Sequence, residues 1–112
     1  MKNNFVALCG TVANEPKNIA FEDGGMMTVF NLKTVDAYEQ NGQQKNIVAF
    51  HHVVCRGGTA EIAKFLSVGK NICVRGALRS RTYEKDGQTV YVYEVQASYI
   101  EKAKNGQNKS AA

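Results

Sequence analysis

Short apolar, β-prone runs bounded by glycine turns and polar segments recur along the chain, which predicts a protein built mainly of strands. Residues 5–12, Phe-Val-Ala-Leu-Cys-Gly-Thr-Val, form an apolar, β-prone run interrupted by Gly10, which fits a long strand that bends or bulges at the glycine. After a Gly24-Gly25 turn, Met27, Val29 and Asn31 alternate against Thr28, Phe30 and Leu32 in a second strand. The polar segment 39–46 reads as an exposed loop, and residues 47–55, Ile-Val-Ala-Phe-His-His-Val-Val-Cys, as a third strand. Helical spacing occurs once, in residues 59–67, where Thr59, Ile62, Ala63, Phe65 and Leu66 make one stripe, with Thr59 predicted as N-cap and Gly69 as the stop. A fourth strand at 70–78 runs into a hairpin turned at Asp86-Gly87, and residues 94–102 close the sheet. Beyond Ala103 the tail, 104–112, has no apolar anchor and is expected to be disordered.

Three strands, one helix and two more strands are the element order of the OB-fold. The expectation is an all-β, five-stranded Greek-key barrel over residues 1–103, with its helix between strands three and four and an extended hairpin between strands four and five. At 112 residues the chain makes one domain with a small core, so a partner subunit would help it. No apolar run approaches membrane-spanning length and no signal-peptide pattern is visible, which predicts a cytoplasmic, nucleoid-associated protein. Cys9, Cys55 and Cys73 are odd in number, lack CxxC spacing and lie among apolar neighbours, and so read as reduced core residues.

Charge sharpens this picture. The net charge is only +4, yet residues 56–85 carry seven Lys and Arg against two Asp and Glu, while the flanking segments are nearly balanced. An anionic partner such as nucleic acid, meeting that segment, is the natural reading. Alternation along the fourth strand puts Arg75, Ala77, Arg79, Arg81 and Tyr83 on one face, and along the third it groups Phe50, His52 and Val54, with Arg56 continuing that side. Rings in step with cations suit single-stranded nucleic acid, whose bases stack on aromatics while its phosphates meet Lys and Arg. Duplex readout would need a helix or ribbon presenting donors to base edges, and the one helix here carries only Glu61 and Lys64 as charged residues.

These residues carry a resemblance. Segments 5–16 and 50–88 and the Tyr91-Val92-Tyr93-Glu94-Val95 run resemble the bacterial single-stranded DNA-binding protein family, SSB, over roughly residues 3–101. The family's WHRVV strand is matched by Phe50-His51-His52-Val53-Val54, its KG by Gly69-Lys70, and its EG-x-L-R-x-R-x-W by Arg75-Gly76-Ala77-Leu78-Arg79-Ser80-Arg81-Thr82-Tyr83. The resemblance implies base-stacking aromatics at Tyr38, Phe50 and Tyr83, each a smaller ring than the family's usual tryptophan. It also implies an interface role for His51 and assembly into a homotetramer that coats single-stranded DNA in replication, recombination and repair. A family phenylalanine before the helix is replaced by Arg56, which offers a guanidinium instead of a ring. The chain ends in Asn-Gly-Gln-Asn-Lys-Ser-Ala-Ala, without the acidic, hydrophobic tip that recruits other proteins in housekeeping members, as expected of a shortened chain or of a phage or plasmid version.

A catalytic or metal reading is disfavoured. His51 and His52 point to opposite sides of one strand, and His51 and Cys55 on the same side lie about 13 Å apart at about 3.3 Å per residue. No nucleotide-binding glycine loop or serine-histidine-acid set is present, so neither enzyme nor cofactor is expected. The sequence-based site is thus Tyr38, Phe50, His52, Arg56, Arg75, Arg79, Arg81 and Tyr83, with no catalytic or metal-binding residue. Two rival readings are a primosomal OB-fold adaptor of the PriB type and a protein-only interaction domain with a basic face.

Overall fold

The computed structural model describes residues 3–103; the tail 104–112 lies outside the described residues. Six strands and one short helix follow one another as β1 (Val6–Val12), β2 (Lys17–Ala20), β3 (Met26–Gln40), β4 (Gln43–Arg56), α1 (Gly58–Ala63), β5 (Asn71–Lys85) and β6 (Gln88–Lys102). The sheet order is β1-β5-β6-β4-β3-β2, and a further β1–β3 pairing closes the first five into a barrel with β2 appended at the edge. The OB-type barrel, its helix position and its long β5–β6 hairpin therefore follow the pattern read from the sequence.

β1 changes partner along its length: Val6 to Thr11 pair with β5, and Thr11 and Val12 with β3. Closure brings the Lys33 carbonyl against Gly10, where any Cβ would collide with it. The bend expected at this glycine is the closure point of the barrel. Inside, Val12, Phe30, Leu32, Val53, Cys55, Ile72, Val74, Val95, Ala97 and Ile100 pack with Ala60 and Ala63 of α1. Alternation predicts this set well, since Phe30 and Leu32 share one face of β3, and Val53 and Cys55 one face of β4. The buried Thr28 hydroxyl donates to the Ala60 carbonyl at 2.9 Å and accepts from Asn18 Nδ2 at 2.9 Å, tying β2, β3 and α1 together.

Three expectations are corrected and one strand is added. Segment 39–46 is no open loop: β3 and β4 continue through it and turn on Asn41-Gly42, both at positive φ, in the two-residue manner that favours hairpins. The strand β2, too short and polar to show in the alternation, pairs with β3 from Lys17↔Val29 to Ala20↔Met26. The helix is shorter than 59–67, starts after Gly57 without a side-chain cap at Thr59, and buries Ala60 and Ala63 while leaving Ile62 and Phe65 exposed. After Ala63 the backbone tightens into i→i+3 bonds at Phe65 and Leu66, which ends the helical stripe early. Finally, Cys9 and Cys73 stand directly opposite on β1 and β5, with Cα atoms 4.1 Å apart, and form a disulfide. Apolar neighbours in sequence carry no information about cross-strand register, and it is register that brings these two sulfurs together. Cys55 alone is free, buried in the core, and burial pushes its thiol up to about 12.

Candidate nucleic-acid interface

β4 and β6 run parallel but pair only over Val53↔Val95, Val54↔Gln96 and Cys55↔Ala97. Before those residues each strand belongs to a hairpin, β3–β4 or β5–β6, so two arms leave the same end of the barrel and separate. On the face away from the core, alternation lines up Ala77, Arg79, Arg81 and Tyr83 on β5. Their partners on β6 are Gln96, Glu94, Val92 and Val90, and His52 and Phe50 follow Val54 on β4. On β3 the partners are Val29, Asn31 and Lys33, which stand opposite Val54, His52 and Phe50. The result is a groove whose floor is the β6–β4 junction and whose walls are the arms.

The rings stay outside the core. Phe50 is 64% exposed and Tyr83 44% exposed, each on the side that bears the arginines. On the same face a recess of about 250 Å³ is lined by Met27, Val29, His52, Val54, Arg56, Arg81 and Glu94. His52 Nδ1 lies 3.2 Å from Asn31 Oδ1, which steadies the imidazole on this face. Arg79 donates its Nε hydrogen to Gln96 Oε1 at 3.0 Å, and Arg81 Nε approaches Glu94 Oε2 at 3.8 Å. A second recess of about 460 Å³ continues the groove from Arg79 and Gln96 towards Asn3, Asn4 and Ser98.

Two residues of the sequence-based set sit apart. The β5–β6 register shifts between Arg75 and Gly76, where the Gln96 carbonyl occupies the place of a Cβ, so only glycine fits. Arg75 therefore looks onto Tyr99 and Glu101 on the far side of the bulge, its guanidinium 5.7 Å from the Tyr99 ring centre and 3.8 Å from Glu101. Tyr38 pairs with Lys45 near the tip of the β3–β4 arm, five residues beyond Lys33 in an uninterrupted ladder, which puts it roughly 17 Å away and on the opposite pleat face from Phe50. Tyr91 and Tyr93 likewise project from the reverse face of their arm, behind Arg79 and Arg81. His51 turns towards the core side and is half-buried, with Nε2 2.9 Å from Thr34 Oγ1.

Sequence reasoning missed Lys33, Gln96 and Glu94. Lys33 continues the Met27-Val29-Asn31 alternation by one step, so that signal was present. Gln96 and Glu94 reach the groove only through the β5–β6 register and the parallel β4–β6 contact, which no local pattern encodes.

Comparison with known proteins fits this geometry. The model of the "Single-strand binding protein family" matches residues 3–103. The chain is 32% identical over 102 residues to Single-stranded DNA-binding protein 1 of Xylella fastidiosa, covering 88% of this chain and 75% of that one. Among solved structures, a deletion mutant of the single-stranded DNA binding protein from Thermus aquaticus superposes with a TM-score of 0.81 at 30% identity, over 94% of this chain and 52% of that one. The Plasmodium falciparum SSB, solved in complex with ssDNA, shares the fold with a TM-score of 0.83 at 21% identity, over 93% of this chain and 97% of that one. A family match spanning the whole barrel, on top of a groove that gathers exposed rings and arginines, identifies the chain as a member of the single-strand binding protein family.

Proposed function

We propose that this protein binds and coats single-stranded DNA without chemistry of its own, protecting unpaired strands during replication, recombination or repair. The observation that carries the reading is the shared exposure of Phe50 and Tyr83 on the face that holds Arg56, Arg79, Arg81 and His52. Bases stack on the two rings, and the cations meet the sugar-phosphate chain between the arms. Stacking accepts any base, so the sequence preference is slight. Tyr38 joins only where the strand wraps around the β3–β4 arm, and Arg75 only where it passes the bulge. Family membership further supports a homotetramer with His51 near a subunit contact, acting in the cytoplasm where unpaired chromosomal DNA arises.

Titration of fluorescent oligo-dT against single- and double-stranded competitors over a salt series tests the reading. The single strand should compete far better, and log Kd should shift with log salt by about 0.7 per phosphate neutralised. Equal competition by duplex, or no binding of oligo-dT, would overturn it.

A further inference from the structure

The arginines of the groove are not equivalent in charge. Arg81 stands over Glu94 with Nε 3.8 Å from Oε2, and the carboxylate is the more sheltered partner, its side chain 15% exposed against 58% for the arginine. Arg75 is paired in the same way with Glu101 at 3.8 Å. Arg79 stands opposite Glu94 in the ladder but turns its Nε hydrogen onto the neutral Gln96 amide, and among the described residues neither Arg79 nor Arg56 forms an ion pair with a carboxylate.

That difference decides what each can offer a nucleic acid. A phosphate arriving at Arg79 or Arg56 meets an uncompensated positive charge, displaces bound anions from it and releases cations from the strand. A phosphate arriving at Arg81 also meets Glu94 close by, and the repulsion offsets roughly half of the attraction at that range. An ion pair this exposed adds little stability of its own, so its consequence lies in the local field. What Arg81 retains is its shape. A guanidinium is planar and weakly hydrated, and it stacks on flat rings. Here it borders a recess walled by Val54, Val29 and Met27, where an unpaired base can leave water.

We propose that Glu94 neutralises Arg81 and so makes it a stacking plate for a base on the groove floor, leaving phosphate capture to Arg79 and Arg56. The inference rests on the reading of the groove as a single-strand site, and it adds Glu94 as a positioning residue.

Binding of oligo-dT by the full chain over a salt series tests it with four variants. Arg79→Ala should flatten the log-log slope by about 0.7. Removing the pair together, Arg81→Ala with Glu94→Gln, should weaken binding by roughly fivefold or more with the slope unchanged, and Arg81→Lys should weaken it equally, because lysine keeps the charge and lacks the plane. Glu94→Gln should steepen the slope by about 0.7, since Arg81 then carries free charge. The proposal is overturned if the double variant flattens the slope as Arg79→Ala does, if Arg81→Lys binds like the unaltered protein, or if Glu94→Gln keeps the original slope. Should variants at Glu94 fail to fold, Arg81→Lys decides alone, since it keeps the charge balance and removes only the plane. Failure of the unaltered chain to bind oligo-dT would overturn the single-strand reading itself, a result distinct from equal slopes at 79 and 81.

Discussion

Phe50 and Tyr83 hold large apolar rings in water, an arrangement that folding alone does not reward. Truncating either ring removes no core contact, so Phe50→Ala and Tyr83→Ala should weaken oligo-dT binding by about 1–3 kcal/mol each while the thermal midpoint stays put. Tyr38→Ala should match the unaltered protein on short oligonucleotides and lose affinity only on strands long enough to round the arm, because Tyr38 faces the other way. Normal binding by Tyr83→Ala would take that residue out of the site. Cys55 makes a different point at the same scale. Burial disfavours its thiolate and lifts the thiol from 9.0 to about 12, so the folded protein keeps a proton that the unfolded chain releases near its ordinary value. The stability this contributes is complete below about pH 9 and is lost as pH rises towards about 12. Urea melts across that window should fall more steeply for the unaltered protein than for Cys55→Ala; parallel curves would show that the thiol does not titrate as its burial requires.

The arms are where sequence and structure part. The β5–β6 hairpin was legible because Asp86-Gly87 sits between two alternating strands, and the facing of Arg79, Arg81 and Tyr83 followed from parity alone. Asn41-Gly42 is the same kind of signal, but the polar residues around it have no core to face, since the arm projects past the barrel, and their composition alone is that of a loop. The Gly76 bulge, which separates Arg75 from its apparent companions, is a property of pairing with β6, and within β5 only the glycine marks it. The same holds for the disulfide between β1 and β5. Bridging positions 64 residues apart restricts the unfolded chain, so reduction or Cys73→Ser should lower stability by about 2–4 kcal/mol in urea melts. Oligo-dT affinity should be unchanged, because the pair lies on the β1–β5 surface, across the bulge from the groove. An unchanged melt after reduction would mean that the two sulfurs are not joined in solution.

For the molecule as a whole, the arms raise a question of solubility that one copy cannot answer. Their reverse faces continue the core-facing pleat beyond the end of the barrel, where no core remains to meet them. Leu78, Tyr91 and Tyr93 on one arm and Ile47 on the other are therefore left largely exposed, with half-buried His51 at the root. Surfaces of this kind on a chain with so small a core are covered by association in most soluble proteins. The groove faces the other way, so copies joined back to back through these pleats would keep every groove open to DNA. That arrangement fits a coating protein, which must assemble without hiding its binding surface. Light scattering should accordingly give a multiple of the 12.3 kDa chain mass, four times for the homotetramer proposed above. His51→Glu and Tyr93→Glu should each lower that mass, since a carboxylate on a buried subunit contact loses its water without gaining a partner. Their affinity for a short oligo-dT should stay near that of the unaltered protein, because neither residue lines the groove. A single-chain mass for the unaltered protein, or a full-sized assembly of both variants, would place the exposed pleats outside any subunit contact.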